Sequence, residues 1–164
     1  MNMQSNMDIH GERSLTITRV LKAPRDLVWE TWTQINHLKE WWGPEQFATP
    51  VMEGEVRKGG ELRIVMRGPK GSPWDKDLPM VMRFREVVPG KKLVFENEPL
   101  GPSGEKLIEG LTTVTFDDHP DGTLVVMTTD AKALTEPALT MIEGMNQGWA
   151  QTFDKLARYV SKNL

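Results

Sequence analysis

The side chains that could do chemistry in this 164-residue sequence are carboxylates, hydroxyls and three histidines, because the sequence has no cysteine. The lack of cysteine excludes thiol nucleophiles, thiolate-ligated zinc and iron–sulfur clusters. Glu53/Glu55 and Glu96/Glu98 are carboxylate pairs whose two-residue spacing places both members on one face of a strand. Such pairs could act as general acid and base only where that face lines a cavity, and solvent-facing strand residues are the favoured interpretation.

The sequence predicts neither a metal site nor a nucleophilic serine. His10, His37 and His119 do not have the i, i+4 spacing of a helical metal site. The acidic stretch from Asp117 to Gly122 ends in a Pro-Asp-Gly segment, which is typical of a solvated turn. No G-x-S-x-G segment occurs. We therefore predict no catalytic residue, no metal and no cofactor.

Composition and charge narrow the classes of partner. The formal net charge of −3 argues against a nucleic-acid partner, which usually requires a basic excess. No apolar run approaches the ~20 residues of a membrane span, and the polar N-terminus lacks the apolar core of a signal peptide. Because no disulfide can form, we expect a cytoplasmic location. Residues 1–12 show no periodicity and are predicted to be a disordered tail, followed by a single domain over 13–164.

Hydrophobic periodicity and turn signals define the elements that must position any site. Residues 14–21 alternate and are rich in β-branched side chains, which predicts a strand. Pro24 then begins the first of two short helices, and Gly43-Pro44 ends the second. Tight turns join antiparallel neighbours, so the segments that follow predict an antiparallel meander. These segments are 47–55, 61–67, 78–88, 91–97, 107–116 and 123–130.

The last element is predicted to be one long amphipathic helix, with Glu136 and Pro137 in its first turn. At 100° per residue, its apolar residues fall within an arc of about 80°. They are Ile142, Met145, Trp149, Phe153, Leu156 and Val160. A long helix after a meander must bury this face, and a sheet that curves around it does so. The sequence therefore predicts an α+β fold with a curved antiparallel sheet of six or seven strands around the C-terminal helix.

Several segments, in this order along the chain, resemble the family of homologues of the heat-shock protein 90 ATPase activator. They are Ile17-Thr18-Arg19-Val20 with Ala23-Pro24, Trp41-Trp42-Gly43-Pro44, Arg57-Lys58-Gly59-Gly60, residues 84–95, and Gly144-Met145-Asn146-Gln147-Gly148-Trp149. The resemblance covers residues 15–160. It implies the helix-grip fold of the START-like (SRPBCC) superfamily, in which an antiparallel sheet grips the C-terminal helix. It transfers no catalytic residue to this sequence.

The resemblance first implies binding of a small apolar or amphipathic molecule between sheet and helix, as in most of the superfamily. If the alternation is right, nine apolar side chains converge there, and they are the candidate ligand-binding residues. They are Trp42, Met66, Met80, Met82, Phe84, Phe95, Met145, Trp149 and Phe153. Methionines suit an interior that adapts to its contents, and plain hydrophobic core is the alternative for each residue.

Two other functions stay open. An enzyme of the cyclase or hydratase type would need a polar group inside, such as Glu86, Asn97 or Thr112. A co-factor of a chaperone ATPase would act through its surface. The eukaryotic activators carry a separate N-terminal domain that is important for chaperone contact, and we expect no room for one here, so this function ranks third. A homodimer is compatible with the sequence, and the sequence does not identify the ligand.

Overall fold

The structure is a computed structural model that describes residues 2–7 and 11–163, with side chains described within 11–162. The described strands form one antiparallel sheet in the order β1-β2-β8-β7-β6-β5-β4-β3. Their bounds are β1 Asn2–Met7, β2 Glu12–Leu21, β3 Ala48–Gly54, β4 Glu61–Arg67, β5 Asp77–Val88, β6 Lys92–Pro99, β7 Ile108–His119 and β8 Gly122–Ala133. The helices are α1 Arg25–Thr33, α2 Ile35–Trp41, α3 Ala138–Glu143 and α4 Met145–Asn163.

The predicted fold is confirmed for the main body of the molecule. Strands β2 to β8 form the curved seven-stranded antiparallel sheet, α1 and α2 follow β2, and the C-terminal helical region follows β8. Buried and more exposed residues alternate along β7 and β8, as expected when one face of a sheet is packed and the other faces water. This packed face holds the candidate site.

The N-terminal segment differs from the prediction of a disordered tail. Residues 2–7 form β1, which pairs with β2 from Asn2 opposite Thr18 to Met7 opposite Arg13. A segment without hydrophobic periodicity can form an edge strand because ladder hydrogen bonds require only backbone groups. The remaining part of the predicted tail, residues 1 and 8–10, lies outside the described residues.

The C-terminal helix also differs from the prediction, because Gly144 divides it into α3 and α4. Pro137 is the N-cap of α3 and not part of its first turn. The Gly144 N–H donates to the Thr140 carbonyl at 3.2 Å, and the Gly148 N–H donates to the Gly144 carbonyl at 3.0 Å. The two helices therefore follow one another closely, and the apolar spacing continues across the division.

Aromatic rings join the helices to the inner face of the sheet. The ring of Trp32 in α1 lies 4.7 Å from that of Trp41 in α2, 5.9 Å from Phe153 in α4 and 6.0 Å from Phe116 in β7, measured between centroids. The angles between these rings are tilted or edge-on, which suits the quadrupoles of aromatic pairs. The core thus lies where α1, α2, α4 and the sheet meet.

The outer face of the sheet is charged and carries four arginines on β4 and β5. Each arginine pairs with a carboxylate on a neighbouring strand, and opposite charges across a sheet contribute modestly to stability. The pairs are Arg63–Glu53 at 2.9 Å, Arg67–Asp77 at 2.9 Å, Arg83–Glu61 at 3.1 Å and Arg85–Glu96 at 2.8 Å.

Candidate functional site

Six of the nine candidate side chains are buried core residues. Phe95 and Phe153 have no accessible surface. A side chain without accessible surface borders no space that could hold a water molecule, so these rings are fully packed. The six buried candidates are Trp42, Met80, Met82, Phe84, Phe95 and Phe153.

The other three candidates, Met66, Met145 and Trp149, are half-buried and pack against this core. Met66 lies on β4, and Met145 and Trp149 lie in the first two turns of α4. The Trp149 ring is 5.6 Å from the Trp42 ring and 6.5 Å from the Phe153 ring. We call Met66, Met145 and Trp149 the rim residues. The nine candidates therefore divide into a filled core and a rim of adaptable side chains around it.

A short segment between α2 and β3, residues 42–47, lies against the rim residues, and we call it the 42–47 strap. A Cβ atom added at Gly43 would lie 3.0 Å from the Met66 Sδ, and Gly43 has a φ of 93°, which favours glycine. A Cβ added at Gly148 of α4 would lie 3.6 Å from the Cγ of Pro44. The Gly-Pro pair that ends α2 therefore also allows the chain to pass close to β4 and α4.

Lys155 of α4 is half-buried and binds the backbone of the 42–47 strap. Burial lowers the pKa of Lys155, the nearby Glu45 carboxylate opposes this by raising it, and Arg158 lowers it further. Periodicity places Lys155 away from the apolar face of the helix, so no local sequence pattern indicates this role. Its Nζ donates to three backbone carbonyls at 3.3–3.4 Å, those of Trp42, Pro44 and Phe47.

Glu45 provides the second attachment of the 42–47 strap to α4. Its backbone N–H donates to the Gln151 Oε1 at 3.2 Å, and its carboxylate pairs with Arg158. Polar attachments of this kind bury little apolar area. The 42–47 strap also has an apolar anchor at its start, the buried ring of Trp42, so residues 43–47 are the part that polar contacts hold against α4.

Three neutral polar side chains form a connected set on the inner face of the sheet. The Thr112 Oγ1 lies 2.7 Å from the Asn97 Oδ1 and 2.7 Å from the Thr129 Oγ1. All three residues are buried. We call Asn97, Thr112 and Thr129 the polar row. Amides and hydroxyls can donate and accept hydrogen bonds here, but they do not exchange protons near neutral pH as a general acid or base does.

Among residues 11–162, Glu98 is the charged side chain that is buried, and it faces outward. The interpretation of Glu98 as a solvent-facing residue is therefore wrong. The chain after β6 folds back beside it, since the Leu107 N–H donates to the Pro99 carbonyl at 2.9 Å. The Glu98 carboxylate contacts Arg83 and also Lys106, whose Nζ is 2.6 Å away.

Glu86, the ionisable candidate for cyclase or hydratase chemistry, forms an ion pair outside the polar row. Glu86 is half-buried and pairs with Lys92, with 3.4 Å between the charged atoms. Asn97 and Thr112, the other two candidates, do lie inside, in the polar row. The interior therefore offers hydrogen bonds to a bound molecule, and its buried polar groups are neutral.

Two open clefts lie away from the sheet–helix interior. One of about 610 Å³ is lined mainly by charged residues at the ends of β2, β6, β7 and β8. The other, of about 650 Å³, lies between the start of α1 and the turns after β5 and β7. None of the nine candidate residues lines either cleft.

Within the described part of the chain, no group of three His, Asp or Glu side chains could hold a metal ion. The acidic turn after β7 is engaged in other contacts. Asp118 pairs with Arg25 at 3.1 Å, and the Asp121 N–H donates to the Nδ1 of His119 at 3.0 Å. Of the helices described, none is long and apolar enough to cross a bilayer.

Solved structures share this architecture at low sequence identity. A Chromobacterium violaceum protein is 22% identical with a TM-score of 0.77, covering 92% of this chain and 98% of its own. A Rhizobium leguminosarum protein is 18% identical with a TM-score of 0.74, covering 99% and 100%. A Nitrosomonas europaea protein is 24% identical with a TM-score of 0.69, covering 91% and 94%. At these identities the likeness establishes the fold alone.

The family assignment rests on a match over most of the chain. No curated protein matches the sequence. The family model described as "Activator of Hsp90 ATPase homolog 1-like protein" matches residues 22–161, which include α1, α2, the 42–47 strap, the polar row and nearly all of α4. The chain therefore belongs to the family of Activator of Hsp90 ATPase homolog 1-like proteins.

Proposed function

We propose that this protein binds a small apolar or amphipathic molecule between its sheet and α4, at the rim residues. The observation that carries the proposal is the half-burial of Met66, Met145 and Trp149 against a filled core. The family supports ligand binding by this fold in general. The ligand replaces contacts that the rim residues make with one another and with the core.

The chemistry of the rim residues suits such an exchange. Met66 and Met145 have unbranched, polarisable side chains that change rotamer readily and can line ligands of different shapes. Trp149 offers a large flat apolar surface and an indole N–H. Opening the 42–47 strap exposes this surface, because Gly43 and Pro44 lie against Met66 and Gly148.

The proposal is tested by thermal unfolding with three probes, naphthalene, indole and decanoate. A probe that binds only the native state, present at a free concentration of about 100 times its Kd, stabilises the protein by about 2.7 kcal/mol. This raises Tm by about 5–10 °C for a chain of this size. We expect at least one probe to do so. Mass spectrometry of the natively purified protein then searches for a molecule that co-purifies with it.

Two tryptophan variants locate the binding. Trp149→Ala removes a rim side chain, and we expect it to weaken binding at least about tenfold. Trp29→Ala is the matched control, because Trp29 is also half-buried but packs edge-on against Phe116 with 5.2 Å between ring centroids. The proposal fails if no probe changes Tm, or if both variants weaken binding equally.

A further inference from the structure

The hydrogen bonds of the polar row run in one direction. The Asn97 Oδ1 can only accept, so the Thr112 hydroxyl proton must lie between these two oxygens. With its proton committed, the Thr112 oxygen accepts from the Thr129 hydroxyl. Each bond polarises the next, so the row holds the Asn97 amide in one orientation.

In this orientation the two N–H groups of the Asn97 amide point away from Thr112 and are not used by the polar row. In the described part of the chain, no protein atom accepts a hydrogen bond from the Nδ2 of Asn97, and this nitrogen is not fully enclosed. Asn97 is 9% exposed, against 0% for Thr112 and 1% for Thr129. The side chain lies over Gly110 of β7, where an added Cβ would be 2.5 Å from the Nδ2. The missing side chain at Gly110 therefore provides the space that the amide occupies.

The polar row lies between two apolar clusters on the inner face. Met127 and Val114 belong to the larger cluster, and Ala131 and Ile108, further along the same strands, belong to the smaller one. Met145 packs against both clusters. Because the polar row separates the clusters on the sheet, Met145 spans it from the helix side. A molecule that displaces Met145 therefore enters the space on the helix side of the polar row.

The charges around the polar row favour a neutral ligand group. Arg13 lies at the same level of the sheet, through the pairs Arg13–Ala131, Ala131–Gly110 and Gly110–Asn97. Three strand spacings, or about 14 Å, separate the backbone of Arg13 from that of Asn97. Its Nη1 already donates to the Glu143 carbonyl at 3.3 Å and to the Asn146 Oδ1 at 3.2 Å. These bonds hold the guanidinium beside the start of α4, where its buried Nε has no hydrogen-bond partner among the described residues. A carboxylate beside Asn97 would thus have no directly adjacent cation, and burial of an unpaired charge is costly.

We propose that Asn97 determines the class of ligand, which is an apolar molecule carrying a neutral hydrogen-bond acceptor such as a carbonyl or ether oxygen. The Nδ2 of Asn97 donates to that oxygen, and Thr112 and Thr129 hold the amide in place. This inference rests on the proposed function, because it assigns the polar end of a ligand whose apolar body lies at the rim residues.

The test compares two probes of the same shape, acetophenone and α-methylstyrene, which differ by an oxygen in place of a methylene group. Their Kd values for the full chain are measured by NMR titration. The ratio of the two Kd values is compared between the wild type and Asn97→Leu, because the probes differ in hydration and this comparison cancels the difference. We expect selectivity for the ketone to fall about three- to tenfold in Asn97→Leu, the usual effect of one hydrogen bond.

A matched pair of threonine variants supports the test if Asn97→Leu folds poorly. Thr112→Val releases the Asn97 amide, and we expect it also to lower selectivity for the ketone. Thr31→Val makes the same change at another residue with 0% exposure, whose hydroxyl donates to the Val28 carbonyl within α1. We expect Thr31→Val to keep the selectivity of the wild type.

Three outcomes overturn the inference, and they differ in what they imply for the proposed function. If neither probe binds the wild type but naphthalene, indole or decanoate does, only this inference fails, whereas if none of the five binds, both proposals fail. If both probes bind and selectivity is the same in the wild type, Asn97→Leu and Thr112→Val, only this inference fails. If benzoate binds more tightly than acetophenone and Arg13→Gln abolishes this preference, the ligand is an acid recognised by Arg13.

Discussion

Glu98 is a buried carboxylate whose charge is balanced by two cations, Arg83 and Lys106. Its side chain is 4% exposed, while those of the two cations are 43% and 49% exposed. Removing one partner from a buried ion pair leaves the other without compensation, which is why such changes are costly. The charge of Glu98 is therefore structural, and Glu96, two residues earlier on the same face, provides a natural comparison.

We predict that Glu98→Gln lowers the free energy of unfolding by about 1–3 kcal/mol, because the new amide group turns a donor toward donors on Arg83 or Lys106. Glu96→Gln removes a half-exposed pair with Arg85 and should cost less than about 1 kcal/mol. Urea unfolding of both variants and the wild type measures the difference. Equal losses would show that the loop after β6 does not shield Glu98 from water.

The sequence showed which face these residues occupy but not how deeply each is buried. The spacing of Glu96 and Glu98 correctly places both on the outer face. The depth of Glu98 depends on a loop that returns to place Leu107 beside Pro99, and no local pattern encodes this return. For the same reason Lys155 gave no signal, because its acceptors are backbone carbonyls more than a hundred residues away in sequence.

Whole elements were predicted best where periodicity and turn signals agree. The bounds of β4 match the prediction at both ends, since Gly59-Gly60 and Gly68-Pro69 mark its limits, and α2 ends shortly before Gly43-Pro44 as predicted. The division at Gly144 was missed because Ile142 and Met145 keep helical spacing across it. Strand β1 was missed because an edge strand can pair through its backbone alone.

The attachment of the 42–47 strap to α4 yields a prediction at this scale. Lys155→Met removes the donor shared by three carbonyls, so the 42–47 strap should open more readily. Loss of about 1 kcal/mol of local stability speeds amide hydrogen exchange about fivefold. We expect this increase at the amides of Glu45 and Phe47, both of which are hydrogen-bonded.

Lys162→Met is the control for this prediction. Lys162 is exposed in the last turn of α4. Its replacement by methionine is the same chemical change as Lys155→Met, but it lies away from the 42–47 strap. Exchange at Glu45 and Phe47 should match the wild type in this variant. Unchanged exchange in Lys155→Met would mean that the Glu45 contacts alone hold the 42–47 strap in place.

At the scale of the whole molecule, the alternation of apolar and polar residues correctly predicted that the apolar side chains face one interior, between the sheet and the helices. It could not show whether that interior is filled, because packing density depends on how side chains from different elements interlock. The structure fills the centre with Phe95, Phe153 and their neighbours and leaves the adaptable side chains at the rim. The candidate site is thus narrower than the nine residues that the sequence suggested, and its polar row lies deeper than any of the rim residues.

The larger apolar cluster includes residues of β2, α1, α2, α4 and most of the sheet, so these elements should unfold together. Leu156 in α4 has no exposed surface, and we predict that Leu156→Ala lowers the free energy of unfolding by about 2–5 kcal/mol. Leu139→Ala makes the same change in α3 at a side chain that is 39% exposed, and it should cost less than about 1 kcal/mol.

Urea unfolding of both leucine variants is followed by tryptophan fluorescence, which reports mainly on α1, α2 and α4, and by far-UV circular dichroism, which reports on all elements. Because Leu156 packs in the same cluster as the inner face of the sheet, the two signals should change at the same urea concentration even in Leu156→Ala. If fluorescence changes at lower urea than circular dichroism, α4 separates from an intact sheet. The interior would then open by release of the helix, and movement of the 42–47 strap would not be required for a ligand to enter.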